Sequence, residues 1–177
     1  MPNTIPSGTD LRTEHPVDRR SLRGALGTFA TGVTVITTKT AGGDYAGFTA
    51  NSFSSVSLDP PLVLWSLGLH SPNLAVFEGC SHFAISILSA EQADISQRFA
   101  TSGIDKFAGL AVQEGLGGAP LIPGCSAWFE CANEARYPGG DHLIFIGRVL
   151  RFARQNHAPL LFHAGQYGRL AEPSDAV

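Results

Sequence analysis

Short runs of β-branched and apolar residues recur along the chain, and glycine, proline or polar turn residues separate most of them. Residues 33–38 read Val-Thr-Val-Ile-Thr-Thr, and a Gly-Gly-Asp turn follows before the next run at 45–48. Such runs are typical of strands, because branched side chains suit a pleated surface. The same pattern predicts further strands over residues 51–57, 62–67, 82–88, 125–136, 142–153 and 160–163.

A first helix is predicted to begin near Asp18, whose short acidic side chain suits an N-cap. Apolar residues then recur with helical spacing, at Leu22, Ala25, Leu26 and Phe29. This spacing predicts one buried stripe along the helix.

Two further helices are predicted singly between strands. Ser71, followed by proline, is placed as the N-cap of a helix that reaches about Glu78. Ser89 and Gln92 have the spacing of a capping box, which opens a helix through about Phe99.

The order of these elements predicts the fold class. Many strands at short spacing with few helices favour a mainly β, antiparallel barrel over a doubly wound sheet. The 177 residues suit one domain, and 44% of them are hydrophobic, enough for a sizeable core. We predict a flexible N-terminal tail over 1–16, the folded domain over 17–172 and a flexible C-terminus over 173–177.

Composition disfavours several classes of partner. The net charge is −3 and the basic residues are scattered, so we expect no nucleic-acid binding. No apolar run reaches the roughly 18 residues that span a bilayer, so we expect no membrane partner. Cys80, Cys125 and Cys131 form no C-x-x-C pair, which favours reduced thiols and a cytoplasmic location.

Several motifs with known chemistry do not occur in the sequence. It contains no G-x-G-x-x-G after a strand, no phosphate-binding P-loop and no G-x-S-x-G elbow. Its six histidines lack metal-ligand spacing, so we predict no metal site. Catalysis by this chain would therefore rely on a bound cofactor.

Residues 47–57 form the most unusual segment. Six of these eleven residues carry a small hydroxyl or an amide, although the segment lies between apolar strands. Partly buried polar groups need partners, since an unsatisfied one costs roughly 1–3 kcal/mol. The segment is either the binding edge for a polar ligand ring or the solvated face of an edge strand.

Two cations lie near a long loop. Arg98 ends the third predicted helix, and Lys106 lies in the glycine-rich segment 101–124. Each is a candidate partner for a phosphate, and each is equally explained as a solvated cation near a helix end.

Histidines occur at two turns. His142 opens a strand after a Pro-Gly-Gly turn, and His163 is followed by Gly165 and Tyr167. These residues are placed either to contact a flat ligand ring or to hydrogen-bond the turns and close the barrel.

Taken together, the segments resemble the short-chain flavin reductase family, the reductase components of two-component flavin-dependent monooxygenases. The matching segments occur in the family's order over about residues 18–170. They are residues 27–37, 47–64, 97–99, 105–107, 140–142 and 159–162.

The resemblance implies a Greek-key split β-barrel that binds FMN or FAD, works as a homodimer and delivers reduced flavin to a separate oxygenase. The positions that it implies for the flavin are Ala46, Gly47, Phe48, Thr49, Ala50, Asn51, Ser52, Ser66, Ser71, Asn73, Arg98, Phe99 and Lys106. It places His142, with His163, Gly165 and Tyr167, where the nicotinamide stacks. NADH is favoured over NADPH, because the sequence has no dense arginine cluster for a 2′-phosphate.

The implied reaction moves a hydride from the nicotinamide to the flavin and needs no essential acid or base from the protein. His142 is expected to position the nicotinamide. Two alternatives stay open, namely another split-barrel flavoprotein such as a corrin reductase, and a non-catalytic flavin-binding protein.

Overall fold

A computed structural model of the chain describes residues 17–171. The predicted tail segments 1–16 and 173–177 lie outside the described residues. Within the described range there are three α-helices, α1 Arg19–Leu26, α2 Leu74–Gly79 and α3 Ala93–Ala100, and a 3₁₀ turn at Leu116–Gly118. None of these helices has the length and apolar character needed to cross a membrane.

The strands are numbered in chain order. They are β1 Thr31–Gly32, β2 Thr34–Lys39, β3 Tyr45–Ala50, β4 Ser54–Leu58, β5 Pro61–Gly68, β6 His82–Ile87, β7 Gln113–Glu114, β8 Pro120–Leu121, β9 Ala127–Gly139, β10 His142–Arg154, β11 Leu161–His163 and β12 Gln166–Gly168. Seven of them form one sheet in the order β3-β2-β6-β9-β10-β5-β4. The small sheets are β1-β11-β12 and β7-β8. All pairs between these strands are antiparallel, which confirms the predicted mainly β, antiparallel class.

The large sheet is strongly curled. Phe48 lies on β3 and Trp65 on β5, five strand spacings apart in the sheet order. In a flat sheet that separation would be about 24 Å. The two ring centroids are 5.5 Å apart, so the sheet bends round a shared core.

Trp65 is at the centre of this core and is fully buried. It stacks on Phe145 at 4.1 Å and meets Phe77 and Phe83 edge-on. These rings come from β5, β10, β6 and α2, so the core ties the sheet to the second helix.

The three cysteines are free thiols. Cys131 and Cys125 are fully buried, and burial raises the pKa of each to about 12. Cys80 is half-buried, and burial raises its pKa as well. Cys131 packs in the apolar core, so it behaves as the small hydrophobic residue that its place on a strand suggests.

The prediction of a buried stripe on α1 was wrong. Asp18 does cap the helix, since its carboxylate accepts the Ser21 N–H at 2.8 Å. However, Leu22, Leu26 and Phe29 are 45%, 66% and 77% exposed. The 3.6-residue period indicates an apolar face, but it does not say that the same chain covers it.

Two helix starts also differ from prediction. The Ser71 hydroxyl accepts the Asn73 N–H, the residue at the N-cap is Asn73, and α2 begins at Leu74. Ser89 is held in a β-bridge to Pro159, so α3 begins later, at Ala93, although Gln92 does accept the Ser89 N–H.

The single strand predicted over 51–57 is also wrong in its bounds. The structure ends β3 at Ala50 and begins β4 at Ser54. Residues 51–53 carry the chain from one edge strand of the large sheet to the other.

Candidate functional site

A cleft of about 520 Å³ lies on β3, between the turn that precedes α2, the end of α3 and the loop that follows it. It gathers many of the residues that the sequence predicted. Those that line it are Ala46, Gly47, Phe48, Thr49, Ser71, Asn73, Phe99 and Lys106.

Strand β3 packs closely on α3 beside this cleft. A Cβ on the buried Gly47 would lie 3.0 Å from Phe99 Cε1 and 3.1 Å from the Ile36 carbonyl oxygen. Thr49 donates its hydroxyl to the Ser96 carbonyl at 2.6 Å. Glycine at position 47 therefore lets the helix approach the strand and sets the cleft wall.

Lys106 holds the loop against this wall. Its Nζ donates to the carbonyls of Phe99 at 2.8 Å and Gly47 at 3.1 Å. Burial lowers the pKa of Lys106. Arg98 does not line the cleft and donates instead to the Ala108 carbonyl at 2.9 Å. Lys106 and Arg98 therefore both stabilise the loop that follows α3 through hydrogen bonds to main-chain carbonyls.

Sequence reasoning missed an aromatic wall of the cleft. Tyr45 and Phe107 line it with ring centroids 5.3 Å apart, and Phe107 meets Phe99 edge-on at 5.0 Å. A signal for Tyr45 was available, since alternation along β3 puts residues 45, 47 and 49 on one face. Phe107 directly follows Lys106, whose loop was already a candidate.

Tyr45 is held from outside the cleft. Its hydroxyl donates to Glu114 Oε1 at 2.6 Å, and Lys39 Nζ donates to the same oxygen at 2.6 Å. The hydrogen bond from Lys39 is the largest cause that lowers the pKa of Glu114, and the hydrogen bond from Tyr45 lowers it further. They connect β2, β3 and β7.

A second, smaller cavity of about 180 Å³ adjoins the cleft, and we call it the neck. Thr49 and Ala100 line both. Asn51 and Tyr167 line the neck, and the Tyr167 hydroxyl lies 2.8 Å from Ser96 Oγ. These two predicted residues are therefore beside the cleft rather than in it.

Three residues that were predicted to bind the flavin, Ala50, Ser52 and Ser66, make contacts within the fold instead. Ala50 is buried in the core. Ser52 accepts the Ser66 N–H at 3.0 Å, which joins the segment after β3 to β5. Among the described residues, none of the three lines the cleft or the neck.

The histidines lie further out. His142 is half-exposed at the hairpin turn, and its Nδ1 is 2.7 Å from Asp141 Oδ1. This hydrogen bond lowers the pKa of Asp141 and leaves Nε2 for another partner. His163 is exposed at the end of β11, and Gly165, with φ +81°, makes the turn to β12. Neither histidine is among the described residues that line the cleft or the neck.

The chemistry of the cleft fits a flavin. Its volume is within the usual range of cofactor sites, about 300–1,000 Å³. It combines aromatic rings with the neutral side chains of Thr49, Ser71 and Asn73, which suit the apolar and polar edges of one flat ring system. Lys106 and Asp105 are the charged groups among the described lining residues, and their charges cancel.

Comparison with known proteins agrees with this chemistry. A family model described as flavin reductase like domain matches residues 26–171. The FMN reductase (NADH) SmoA of Agrobacterium fabrum is 48% identical over 152 residues, which are 86% of each chain. The reductase component of the trigonelline monooxygenase of Acinetobacter baylyi is 47% identical over 89% of this chain, which spans 51% of that relative.

Solved structures give the same result. The NADH:FAD oxidoreductase SgcE6 of Streptomyces globisporus, in complex with NAD and FAD fragments, superposes with a TM-score of 0.85 at 41% identity. The match covers 89% of this chain and 96% of that one. The family resemblance seen in the sequence is confirmed. The chain belongs to the flavin reductase family and is an oxidoreductase.

Proposed function

We propose that the chain oxidises NADH, reduces FMN or FAD held in the cleft on β3, and supplies the reduced flavin to a separate oxygenase. The cleft carries this proposal, since it gathers eight predicted residues in a space with aromatic rings and neutral polar groups. Relatives named as an NADH-dependent FMN reductase and an NADH-dependent FAD reductase support the choice of reductant. Relatives named as reductase components of two monooxygenases support the oxygenase partner.

A bound flavin supplies the hydride-accepting chemistry, and the protein supplies orientation. In this proposal Thr49, Ser71 and Asn73 hold the polar edge of the ring, while Gly47 and Phe99 set the wall behind it. His142, oriented by Asp141, positions the nicotinamide carboxamide through Nε2. The curled sheet supports a Greek-key split barrel of the FMN-binding type as the scaffold.

The test is a steady-state assay of the purified protein with NADH and with FMN, FAD or riboflavin. We expect NADH to be oxidised only when a flavin is present. Replacing His142 with alanine is expected to raise the KM for NADH about tenfold, the order of one or two lost hydrogen bonds, and to leave flavin affinity nearly unchanged. His157→Ala, at an exposed histidine bonded to the Gly124 carbonyl, is the control.

Negligible turnover with every flavin would reject the proposal and favour a flavin-storage protein. An equal loss of flavin affinity in the His142 variant would reject the role of that residue.

We also infer a homodimer and a cytoplasmic location. Apolar side chains that one chain leaves in water support the dimer, namely Leu22, Leu150 and Phe152. Burying each such side chain is worth about 1.5–3 kcal/mol. The three free thiols support a reducing compartment.

A further inference from the structure

A third cavity, of about 610 Å³, lies between α1 and the turn that joins β11 to β12. The Ala164 N–H donates to the Gly27 carbonyl at 2.8 Å, which brings the end of the helix and the turn together. Arg20 and Arg23 line this cavity together with two phenyl rings, those of Phe29 and Phe162. We call it the α1 cavity.

The α1 cavity shares lining residues with the neck. Asn51 and Phe162 border both the α1 cavity and the neck. Thr49 and Ala100 border both the neck and the cleft. The three cavities are therefore neighbours, joined in sequence by shared lining residues.

The α1 cavity differs from the cleft in charge. No carboxylate occurs among its described lining residues, and within residues 17–171 neither Arg20 nor Arg23 forms an ion pair. Two guanidinium groups without a carboxylate partner make a site for an anion with several oxygens.

We propose that Arg20 and Arg23 bind the diphosphate of NADH. This inference rests on the proposed function. The dihydropyridine ring must reach the cleft, while the two phosphates attached to it need cations that the charge-balanced cleft does not offer. Phe29 and Phe162 present apolar rings to the adenosine end. The assignment adds α1 to the reductant site, whereas the spacing of its apolar residues predicted only a buried stripe.

The test is the double variant Arg20→Gln/Arg23→Gln, measured in two ways. Fluorescence titration gives the Kd for NADH without turnover, and steady-state kinetics compare NADH with 1-benzyl-1,4-dihydronicotinamide, an uncharged hydride donor. We expect the Kd and KM for NADH to rise about ten- to hundredfold, the order expected for two lost charge-assisted hydrogen bonds. Turnover with the uncharged donor and the Kd for FMN should stay at the wild-type values.

Salt provides a second readout. Added salt should raise the KM for NADH of the wild-type protein more than that of the variant, because salt screens the attraction between arginine and phosphate. Arg154→Gln, at an exposed arginine at the end of β10, is the matched control and should behave as wild type.

An unchanged Kd for NADH in the double variant would overturn the inference, as would an equal loss with both donors. A wild-type protein that binds NADH through these arginines but does not oxidise it would reject the proposed function and leave this binding site standing.

Discussion

Lys106 holds its ammonium group between two main-chain carbonyls, those of Gly47 and Phe99. The loop that carries it borders the cleft, and its neighbour Asp105 accepts the Phe107 N–H at 3.0 Å. Both contacts place Phe107 in the aromatic wall. Lys106 therefore affects the cleft through the position of the loop. These two hydrogen bonds account for the place of its ammonium group without a phosphate partner.

Lys106→Met is expected to weaken the binding of FMN and riboflavin by a similar factor, about tenfold. The reason is that the variant loses two hydrogen bonds from a charged donor, each worth about 1.5–3 kcal/mol, and part of that loss reaches the cleft through the loop. Titration of flavin fluorescence measures both affinities. A loss confined to FMN would contradict this role and would mean that Lys106 pairs with the phosphate.

At this scale the sequence predicted part of the site. The polar character of residues 47–57 indicated which segment of the chain carries the cleft. The aromatic pair of Tyr45 and Phe107 was not predicted, since their contact depends on how a loop returns to a strand 62 positions earlier in the chain. Ser52 and Ser66 bond to each other, a pairing that no local pattern indicates.

The Glu114 carboxylate on β7 accepts hydrogen bonds from Lys39 on β2 and from Tyr45 on β3, so it connects three strands. The side-chain hydrogen bond from Lys39 is the main cause that lowers the pKa of Glu114, while the Glu114 carboxylate raises the pKa of both Lys39 and Tyr45. A lowered acid pKa stabilises the fold above the ordinary value of 4.5, and this stabilisation is lost as pH falls. The raised pKa values of Tyr45 and Lys39 mean that their protonated forms stabilise the fold below about pH 10. This stabilisation is lost as pH rises further.

Glu114→Gln is therefore expected to lower the urea midpoint modestly between about pH 5 and pH 9, with a difference from wild type that shrinks on both sides of this window. Flavin affinity should fall a few-fold, because Tyr45 loses its anchor. Urea unfolding across the pH range and flavin titration measure the two effects. Glu134→Gln, which breaks an ion pair with Arg148 on the β9–β10 hairpin, is the control.

In the control, a similar change in stability without a change in flavin affinity is expected. Flavin affinity that falls equally in both variants would contradict the link between Glu114 and the cleft.

Long strands were predicted better than short ones or helix ends. The β9–β10 hairpin extends over 13 residues on each side and is joined at Gly140, whose φ of +66° suits glycine. Strands β1 and β12 have two and three residues and exist because β11 pairs with both, which local sequence does not reveal.

At the scale of the whole molecule, apolar side chains of β10 remain in water. Phe152 is 74% exposed, and its ring stacks loosely on Phe129 at 6.4 Å. Leu150 on the same strand is also exposed. A second copy that covers these groups would supply the burial that one chain lacks.

The double variant Leu150→Ser/Phe152→Ser is expected to weaken self-association at least about tenfold, since each copy loses two apolar contacts. Sedimentation velocity over a range of micromolar concentrations measures the monomer fraction. Arg154→Ser, on the same strand, should associate as the wild type does. A double variant that sediments like wild type would place the interface elsewhere.

The fold class followed from the spacing of turns, because short connections join antiparallel neighbours. The strand order did not follow, since β2 pairs with β6 and β6 with β9 across long stretches of chain. These pairings depend on which faces pack round Trp65, which is a property of the assembled core.

The burial of the cysteines has a consequence for chemical durability. Only the thiolate form of cysteine reacts readily with peroxides. With pKa values of about 12, Cys125 and Cys131 are ionised in roughly one molecule in 10⁵ at pH 7. Reduced flavin that reaches oxygen before an acceptor generates hydrogen peroxide, so a flavin-reducing protein works close to a source of oxidant. The burial of Cys125 and Cys131 therefore limits their oxidation by the peroxide that the reaction generates.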